Sequence, residues 1–467
     1  MALSLGTIIS CKRGSNPNPN IQNSDLRDTL ANYAKFAYYW NTLIPSTFNP
    51  HNYSAQDTFY QETNAIKSYS AIDPSTSANL DRFSFVLTEN DYQLLFVQGS
   101  STGYGMEYRF DENGVYRIRY AAHASPAYQA GVRRGWEVDS VNGVVPSNTT
   151  AFFNSIGNAL NGASIHFAFK DGKGIPHSIT IPSATIADDE VVTTKVLDTA
   201  GKKIGYMVYN TFLPKPSGNN LHPGLDTAFQ GFANKGITDI IIDLRYNGGG
   251  YVSIVENMAN ALIPASNQGK TLFTETFNAN LAAYNTTTKI NKSNSSNPPL
   301  LNINSVNFIV SEGTASASEL IINSLLPYFS KVKLIGVSLG RGASKQKTAG
   351  KPFGFFNQSF PSAKPQYEAF LINDETKNAL GQDNYTAGFV PDIQVYDGVE
   401  YDWGSPKEYG FAEAIHYLVT GSLAYSPKNN TLGLGLQIKN AGFNLSGDNS
   451  PIQLNRSIGL IHSKKKK

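Results

Sequence analysis

The sequence predicts a multidomain α/β protein: a helical region, then a β-rich domain, then a larger α/β domain. Three observations predict this. Leu26, Leu30, Tyr33, Ala37 and Trp40 recur at helical spacing. From about Gln98 the apolar period falls to two, as in the alternating Val115–Tyr120 (VYRIRY). From Ile204 onward, strand, glycine turn and helix repeat, the pattern of a mostly parallel sheet covered by helices. At 467 residues the chain also exceeds what one typical core organises.

The first residues set a compartment. Met1–Ser10 is apolar with small residues, and Cys11, the single cysteine, is followed by Lys12-Arg13 and the polar Gly14–Asn20. This resembles the end of a bacterial lipoprotein signal, with Ile8-Ile9-Ser10-Cys11 as a loose lipobox. The resemblance implies acylation at Cys11, a tether over Ser15–Asn20 and a lipid-anchored place in the bacterial cell envelope. The basic stretch of such a leader is missing, and the expectation is that it lies upstream of Met1. One cysteine excludes an internal disulfide framework. No run of 18 apolar residues provides a spanning helix. Lys and Arg number 38 against 36 Asp and Glu, a net charge of +2. That balance argues against nucleic acid as a partner.

After residues 1–20, the helical region is expected over 21–95. Ser24–Tyr39 opens on a cap signal, Leu43-Ile44 continues its stripe, and Ala55–Tyr69 reads as a second helix. The β-rich domain is expected over 96–186. Its Ser125-Pro126-Ala127-Tyr128-Gln129-Ala130-Gly131-Val132, Arg134-Gly135-Trp136 and Val141-Asn142-Gly143 spell a small helix, a glycine turn and a strand ending in a tight hairpin. Ile165–Phe169 and His177–Ile181 close it. That order resembles a PDZ domain, and Tyr104-Gly105-Met106 falls where PDZ domains carry their carboxylate-binding loop. The resemblance implies capture of a peptide C-terminus as an added strand.

The third unit is expected over 187–420. Ile204–Tyr209 starts it, Leu225–Asn234 is a helix, and Ile237–Leu244 a buried strand that delivers Arg245-Tyr246-Asn247-Gly248-Gly249-Gly250 to the helix Val252–Leu262. This glycine loop lacks the Lys-Ser/Thr of a P-loop. Ser266–Leu300 reads as a polar surface excursion. Val332–Ile335 and Tyr367–Ile372 are strands, Tyr409–Leu418 a final helix, and 421–467 a polar tail.

Within this unit, Phe308–Val310 is a short buried strand and Leu320, Ile321, Ser324 and Leu325 mark a helix. Ser316 lies on the turn between them, where free backbone N–H groups and the helix dipole suit an anionic intermediate. Ser316-x-x-Glu319 is equally a capping box, in which the serine caps and Glu319 reaches back. Ser318, two residues on, lies about 200° around a helix from Ser316.

Gly313-Thr314-Ala315-Ser316-Ala317-Ser318-Glu319, together with Asp243-Leu244-Arg245-x-Asn247-x-Gly249-Gly250, resembles the C-terminal processing peptidases of serine family S41. The resemblance covers roughly Leu26–Leu418 and implies a ClpP/crotonase-like catalytic domain. It implies Ser316 as nucleophile, with Glu319 supporting and the N–H groups of Gly249 (with Gly248) and Ala317 as oxyanion hole. The family's base is a lysine about 25 residues on, a distance that lands near Arg341-Gly342. Thr348-Ala349-Gly350-Lys351-Pro352-Phe353-Gly354-Phe355 resembles the family's lysine segment, 35 residues after Ser316. An insertion of about ten residues, Val337–Lys347, accounts for the difference. Lys351 is then the base, kept neutral by burial in an apolar pocket. The lysine's orienting partner is not identified: the position of the glutamine found in some relatives is Phe355. The seven histidines lie outside triad settings.

The expectation is a serine endopeptidase with a Ser316–Lys351 dyad, needing no cofactor or metal, acting on protein or peptide substrates with free C-termini. The rival expectation is a catalytically silent peptide-binding lipoprotein of the same fold.

Overall fold

The computed structural model describes residues 25–54, 59–215, 222–293, 298–338, 346–360, 366–383, 385–423 and 460–461. Cys11 and nearly all of the polar tail lie outside the described residues.

The first helix runs Leu26–Ala37, and the Asp25 carboxylate caps it by accepting the Arg27 N–H at 2.9 Å. Leu30, Tyr33, Ala34 and Ala37 are buried. The stripe does not continue to Ile44 as one helix. Asn278 Nδ2 donates to the Tyr38 and Phe36 carbonyls, Tyr39 N–H donates to Ile372 O, and the chain turns into a short 3-10 segment, Asn41–Leu43. The second helix is Tyr60–Lys67, shorter than its stripe.

This region is not a separate body. Phe85–Thr88 pairs antiparallel with Tyr367–Asn378, Phe85 opposite Phe370, so the helical preface adds a strand to a sheet of the third unit. Leu30, Phe59 and Phe96 share one core with Leu272, Phe355 and Leu320.

That core contains an exception. Both carboxyl oxygens of Glu62 are buried without a hydrogen-bond partner among the described residues, and burial pushes its pKa up to about 9 against the pull of Arg27. The folded state therefore keeps a proton that the unfolded chain gives up near its ordinary 4.5, and stability falls as pH rises between those values. Glu62→Gln is expected to raise the melting midpoint at pH 8 by roughly 2–4 °C and to leave it nearly unchanged at pH 4. Calorimetry at the two pH values checks this, and parallel pH dependence in both proteins would reject it.

Two sheets organise the third unit. In the first, the order is Ile393–Tyr396, Val332–Ser338, Ser305–Val310, Asp239–Asp243, Lys202–Tyr209 and Val191–Thr199. All neighbours are parallel except the last pair, in which Val191–Thr199 runs antiparallel. Asp239–Asp243 and Ser305–Val310 are buried along their whole length, as expected of central parallel strands. The second sheet orders Thr286–Lys289, Thr271–Phe277, Tyr367–Asn378, Phe353–Phe360 and Leu460–Ile461. The expected excursion over Ser266–Leu300 therefore contains two strands. In Thr271–Phe277 the buried Phe273, Glu275 and Phe277 alternate with Thr274 and Thr276, a period-two signal only seven residues long.

The β-rich unit is an antiparallel five-stranded sheet, Met106–Phe110, Tyr116–Ala121, Glu137–Val141, Ser164–Lys170 and Pro176–Pro182, with the helix Thr150–Leu160 and its own core. Asn142 and Gly143 both take positive φ, 47° and 80°, and close the two-residue turn between Val141 and Val144.

A buried charge cluster joins this unit to the third. Asp397 accepts from Arg109 Nη1 at 2.7 Å, Arg134 Nη2 at 3.0 Å, Arg245 Nη1 at 2.9 Å and Tyr246 Oη at 2.5 Å. Arg245 also holds Asp243 and Glu408. The Arg134 guanidinium lies 4.0 Å from the Trp403 ring centroid. Burial alone would raise the Asp397 carboxyl, but Arg134, Arg245 and Arg109 hold it far below the usual range.

Candidate active site

The glycine loop follows the buried strand Asp239–Asp243 and is fixed from both sides. Phe212 N–H donates to Gly249 O at 3.0 Å, and Tyr251 N–H to Phe212 O at 2.9 Å. A side chain at Gly250, φ +142°, would sit 2.3 Å from the Phe212 carbonyl carbon, so only glycine fits. Asn247 is the loop's anchor. Its Nδ2 donates to Tyr209 O at 2.9 Å, and its Oδ1 accepts the Gly249 N–H at 2.9 Å. The Gly249 N–H is therefore already directed at a side-chain oxygen.

The Asn247 carbonyl reaches the serine turn. It accepts from Ala315 N–H at 3.2 Å and from Ser318 Oγ at 3.0 Å. Ser318 thus ties the helix start to the glycine loop.

Ser316 sits between the strand Ser305–Val310 and the helix Ala317–Leu325, fully buried, with φ 60° and ψ −114°. Non-glycine residues rarely hold such a conformation, and it persists only where the surroundings enforce it. The capping-box pattern is present in outline. Its backbone half is formed, Ser316 N–H to Glu319 Oε2 at 3.0 Å, whereas the Ser316 hydroxyl, although it faces the Glu319 N–H in the capping-box arrangement, meets no partner at hydrogen-bond geometry among the described residues. A serine that served as a cap would use that oxygen. Ala317 opens the helix, so its N–H precedes the intrahelical ladder.

Lys351 arrives on a turn stitched to the serine turn. Ala349 N–H donates to Thr314 O at 3.0 Å. Gly350, φ +78°, would place a side chain 2.3 Å from Thr386 O. Glu319 joins the two turns. Oε1 accepts the Gly350 N–H at 2.8 Å and the Thr348 hydroxyl, while Oε2 accepts the Lys351 N–H at 2.8 Å and the Ser316 N–H. Burial pushes the Glu319 carboxyl up, and these four donors pull it back.

The structure therefore brings Ser316 and Lys351 onto one carboxylate oxygen. The Lys351 side chain is fully buried, with Nζ 4.5 Å from the ring centroids of both Phe83 and Phe355. Desolvation drives its pKa well below the ordinary lysine value, against the attraction of Asp81 and Glu319. Lys347, in the predicted insertion, is exposed.

Tyr104-Gly105-Met106 leads into the strand Met106–Phe110 of the other unit. Tyr104 and Met106 are buried, and Tyr104 Oη donates to Gly162 O at 2.7 Å, just past the helix Thr150–Leu160. No hydrogen bond among the described residues links this loop to the serine turn. His222 is buried between Asp226 and Asn257, and His123 pairs with Asp189, so neither belongs to the site. Among the described residues, no group of three or more His, Cys, Asp or Glu is placed to hold a metal.

One glutamate joins the serine to a buried lysine, and the Asn247 carbonyl ties the glycine loop to the same serine turn. Residues 203–349 match the profile of peptidase family S41. This segment is similar to an S41 peptidase domain. It contains Gly248, Gly249, Ser316, Ala317 and Glu319 and stops just short of Lys351. CtpA-like serine proteases resemble the chain over a longer span. The Staphylococcus aureus (strain N315) protein is 27% identical over 297 residues, covering 61% of this chain and 54% of the relative. That of Staphylococcus saprophyticus is 25% identical over 354 residues, covering 74% of this chain and 64% of the relative. The chain thus spans about half to two-thirds of the length of these relatives. Among solved structures, a Bacteroides fragilis protein described as an S41 protease superposes with a TM-score of 0.65 at 22% identity. The match covers 86% of this chain and 99% of that one, a likeness of fold.

Proposed function

We propose that the protein is a serine endopeptidase of the C-terminal processing type, with Ser316 as nucleophile and Lys351 as base. The observation that carries the reading is Glu319 Oε2, which accepts the N–H groups of both residues while Lys351 is buried against two phenyl rings. A lysine in such a site is neutral near working pH and accepts a proton.

In this reading Lys351 Nζ takes the Ser316 proton as Oγ attacks the substrate carbonyl carbon. The developing oxyanion is held by the N–H of Ala317 and of the glycine loop, Gly249 with Gly248. Gly249 turns from Asn247 Oδ1 or shares its proton with the oxyanion. The intermediate collapses to an ester on Ser316, and Lys351 passes its proton to the departing amine. Water, deprotonated by the same lysine, then hydrolyses the ester. The edge of Phe353–Phe360, directly after Lys351, pairs in parallel with Leu460–Ile461, so an extended substrate peptide lying along that edge displaces this short strand.

The five-stranded unit serves as a PDZ-like reader of substrate C-termini, through the backbone at Tyr104, Gly105 and Met106. Acylation at Cys11 places the enzyme on the bacterial cell envelope.

Ser316→Ala is expected to abolish cleavage of a peptide with a free C-terminus, by roughly 10³-fold or more, while leaving binding of the peptide intact. A C-terminally amidated peptide is expected to bind and cleave less well. Retained cleavage by Ser316→Ala would remove the nucleophile assignment. Binding without cleavage by the wild-type protein would favour the silent peptide binder.

A further inference from the structure

The N-terminal helical region contributes a side chain to the lysine pocket. Phe83 belongs to the segment Asp81-Arg82-Phe83-Ser84, more than two hundred positions before Ser316, yet its ring centroid lies 4.5 Å from Lys351 Nζ. Phe355, three residues past the turn's proline, stands equally close. One wall of the lysine pocket is therefore contributed by the lysine's own strand, and another by the preface.

The segment is held rigidly. The Asp81 carboxylate accepts from Phe83 N–H and Ser84 N–H at 2.9 Å each, from Ser84 Oγ at 2.6 Å and from Tyr38 Oη at 2.8 Å. Ser84 Oγ in turn accepts the Ile372 N–H at 3.0 Å. Arg82 extends over the lysine turn, its Nη2 donating to Ala349 O at 3.1 Å and Thr386 O at 3.3 Å. Those carbonyls flank Gly350, the residue that sets the direction of Lys351. The segment thus grips the turn and caps the amine in one element.

We propose that Asp81–Ser84 is a clasp that completes the site, with Phe83 the positioning residue whose ring keeps water from the Lys351 amine. The inference rests on the reading of Lys351 as base. The charges facing Lys351 come from several elements: Asp81 of the clasp and Glu319 of the serine helix favour the ammonium, Lys67 of the second helix opposes it, and Arg82 lies on the neighbouring carbonyls. Asp81 and Glu319 would make the lysine basic if water screened nothing else, and the apolar wall has to outweigh them. Removing the ring admits water, which restores solvation to the charged form.

The test is an NMR titration of the full chain labelled at lysine Cε, with the Lys351 signal assigned by its loss in Lys351→Ala. In the wild type this signal is expected to titrate well below the other lysines. In Phe83→Ala it is expected to titrate about one unit or more higher, with Phe83→Leu close to wild type. Thermal melts check that each variant is folded, and Arg82→Ala, which leaves the ring in place, is the second variant. An unchanged Lys351 titration in folded Phe83→Ala overturns the proposal. So does a shift of equal size in Phe83→Leu. The acid limb of kcat/KM for peptide cleavage separates the two readings. If it moves with the titration, both stand. If the titration moves and the rate profile does not, Phe83 still walls the amine and Lys351 is not the base.

Discussion

Replacing Lys351 with methionine is expected to abolish peptide cleavage and at the same time to make the protein more stable. The two effects have one cause. In the unfolded chain at pH 7 the lysine is charged, whereas burial beside Phe83 and Phe355 drives its folded pKa well below the ordinary value. Below about pH 10 the unfolded state therefore holds a proton that the folded state gives up. Stability rises with pH across the window from the folded pKa to about 10, and at neutral pH the lysine costs the fold free energy. Methionine has a similar length and no proton to lose. The variant is expected to melt at a higher temperature than the wild type at pH 7, a gain that shrinks toward zero near pH 10. Cleavage is expected to fall by roughly 10³-fold or more, since in the proposed mechanism Lys351 is the base. Melting curves at pH 7 and 10, beside a peptide assay, check both halves. A variant that melts like the wild type at both values would mean that the amine is solvated, and the dry-pocket account would fail.

The contrast with Ser316 shows how much of this site was legible in the sequence. The turn, the helix start and the glycine loop were readable because each follows a buried apolar strand, Ser305–Val310 or Asp239–Asp243, whose composition leaves little choice. The lysine segment could be placed because Gly350 and Pro352 bracket Lys351. Other features depend on contacts between residues far apart in the chain. Whether Ser316 is a cap or a nucleophile turns on where its hydroxyl points, and the same four residues serve both. Asn247 stood in the glycine motif, but that its side chain takes the Gly249 N–H is a matter of loop geometry. Phe83 stands in Asp81-Arg82-Phe83-Ser84-Phe85, readable as the end of the helical preface, but nothing in that stretch points its ring at the lysine. Its place on the lysine follows from Phe85–Thr88 pairing with Tyr367–Asn378, a register set by tertiary packing. Missing the strands Thr271–Phe277 and Thr286–Lys289 has a related origin, since threonine-rich strands on a half-exposed sheet carry little apolar periodicity.

Removing the Asp397 carboxylate is expected to be the most damaging single change outside the site. Three guanidiniums converge on it, the partly exposed Arg109 and buried Arg134 from the β-rich unit and the buried Arg245 from the glycine loop. With alanine in its place, Arg134 keeps only neutral partners, the Arg119 and Tyr401 carbonyls and the Tyr246 hydroxyl. Leaving a buried charge without its counter-ion typically costs about 3–5 kcal/mol. Arg245 retains Asp243 and Glu408, so its own strand end is expected to hold. The loss should therefore fall on the joint between the units. Asp397→Ala is expected to lower the denaturation midpoint steeply, and Arg109→Gln by less, because Arg109 is one of four donors and partly exposed. In protein that remains folded, kcat should fall more than KM rises, since Tyr246 and Arg245 lead directly into the loop that carries Gly248 and Gly249. A double-mutant cycle between Asp397→Ala and Arg134→Met measures the coupling across the joint. A coupling near zero would mean that the two units are held by apolar contacts alone, and Asp397 would then matter only to the strand end on which it sits.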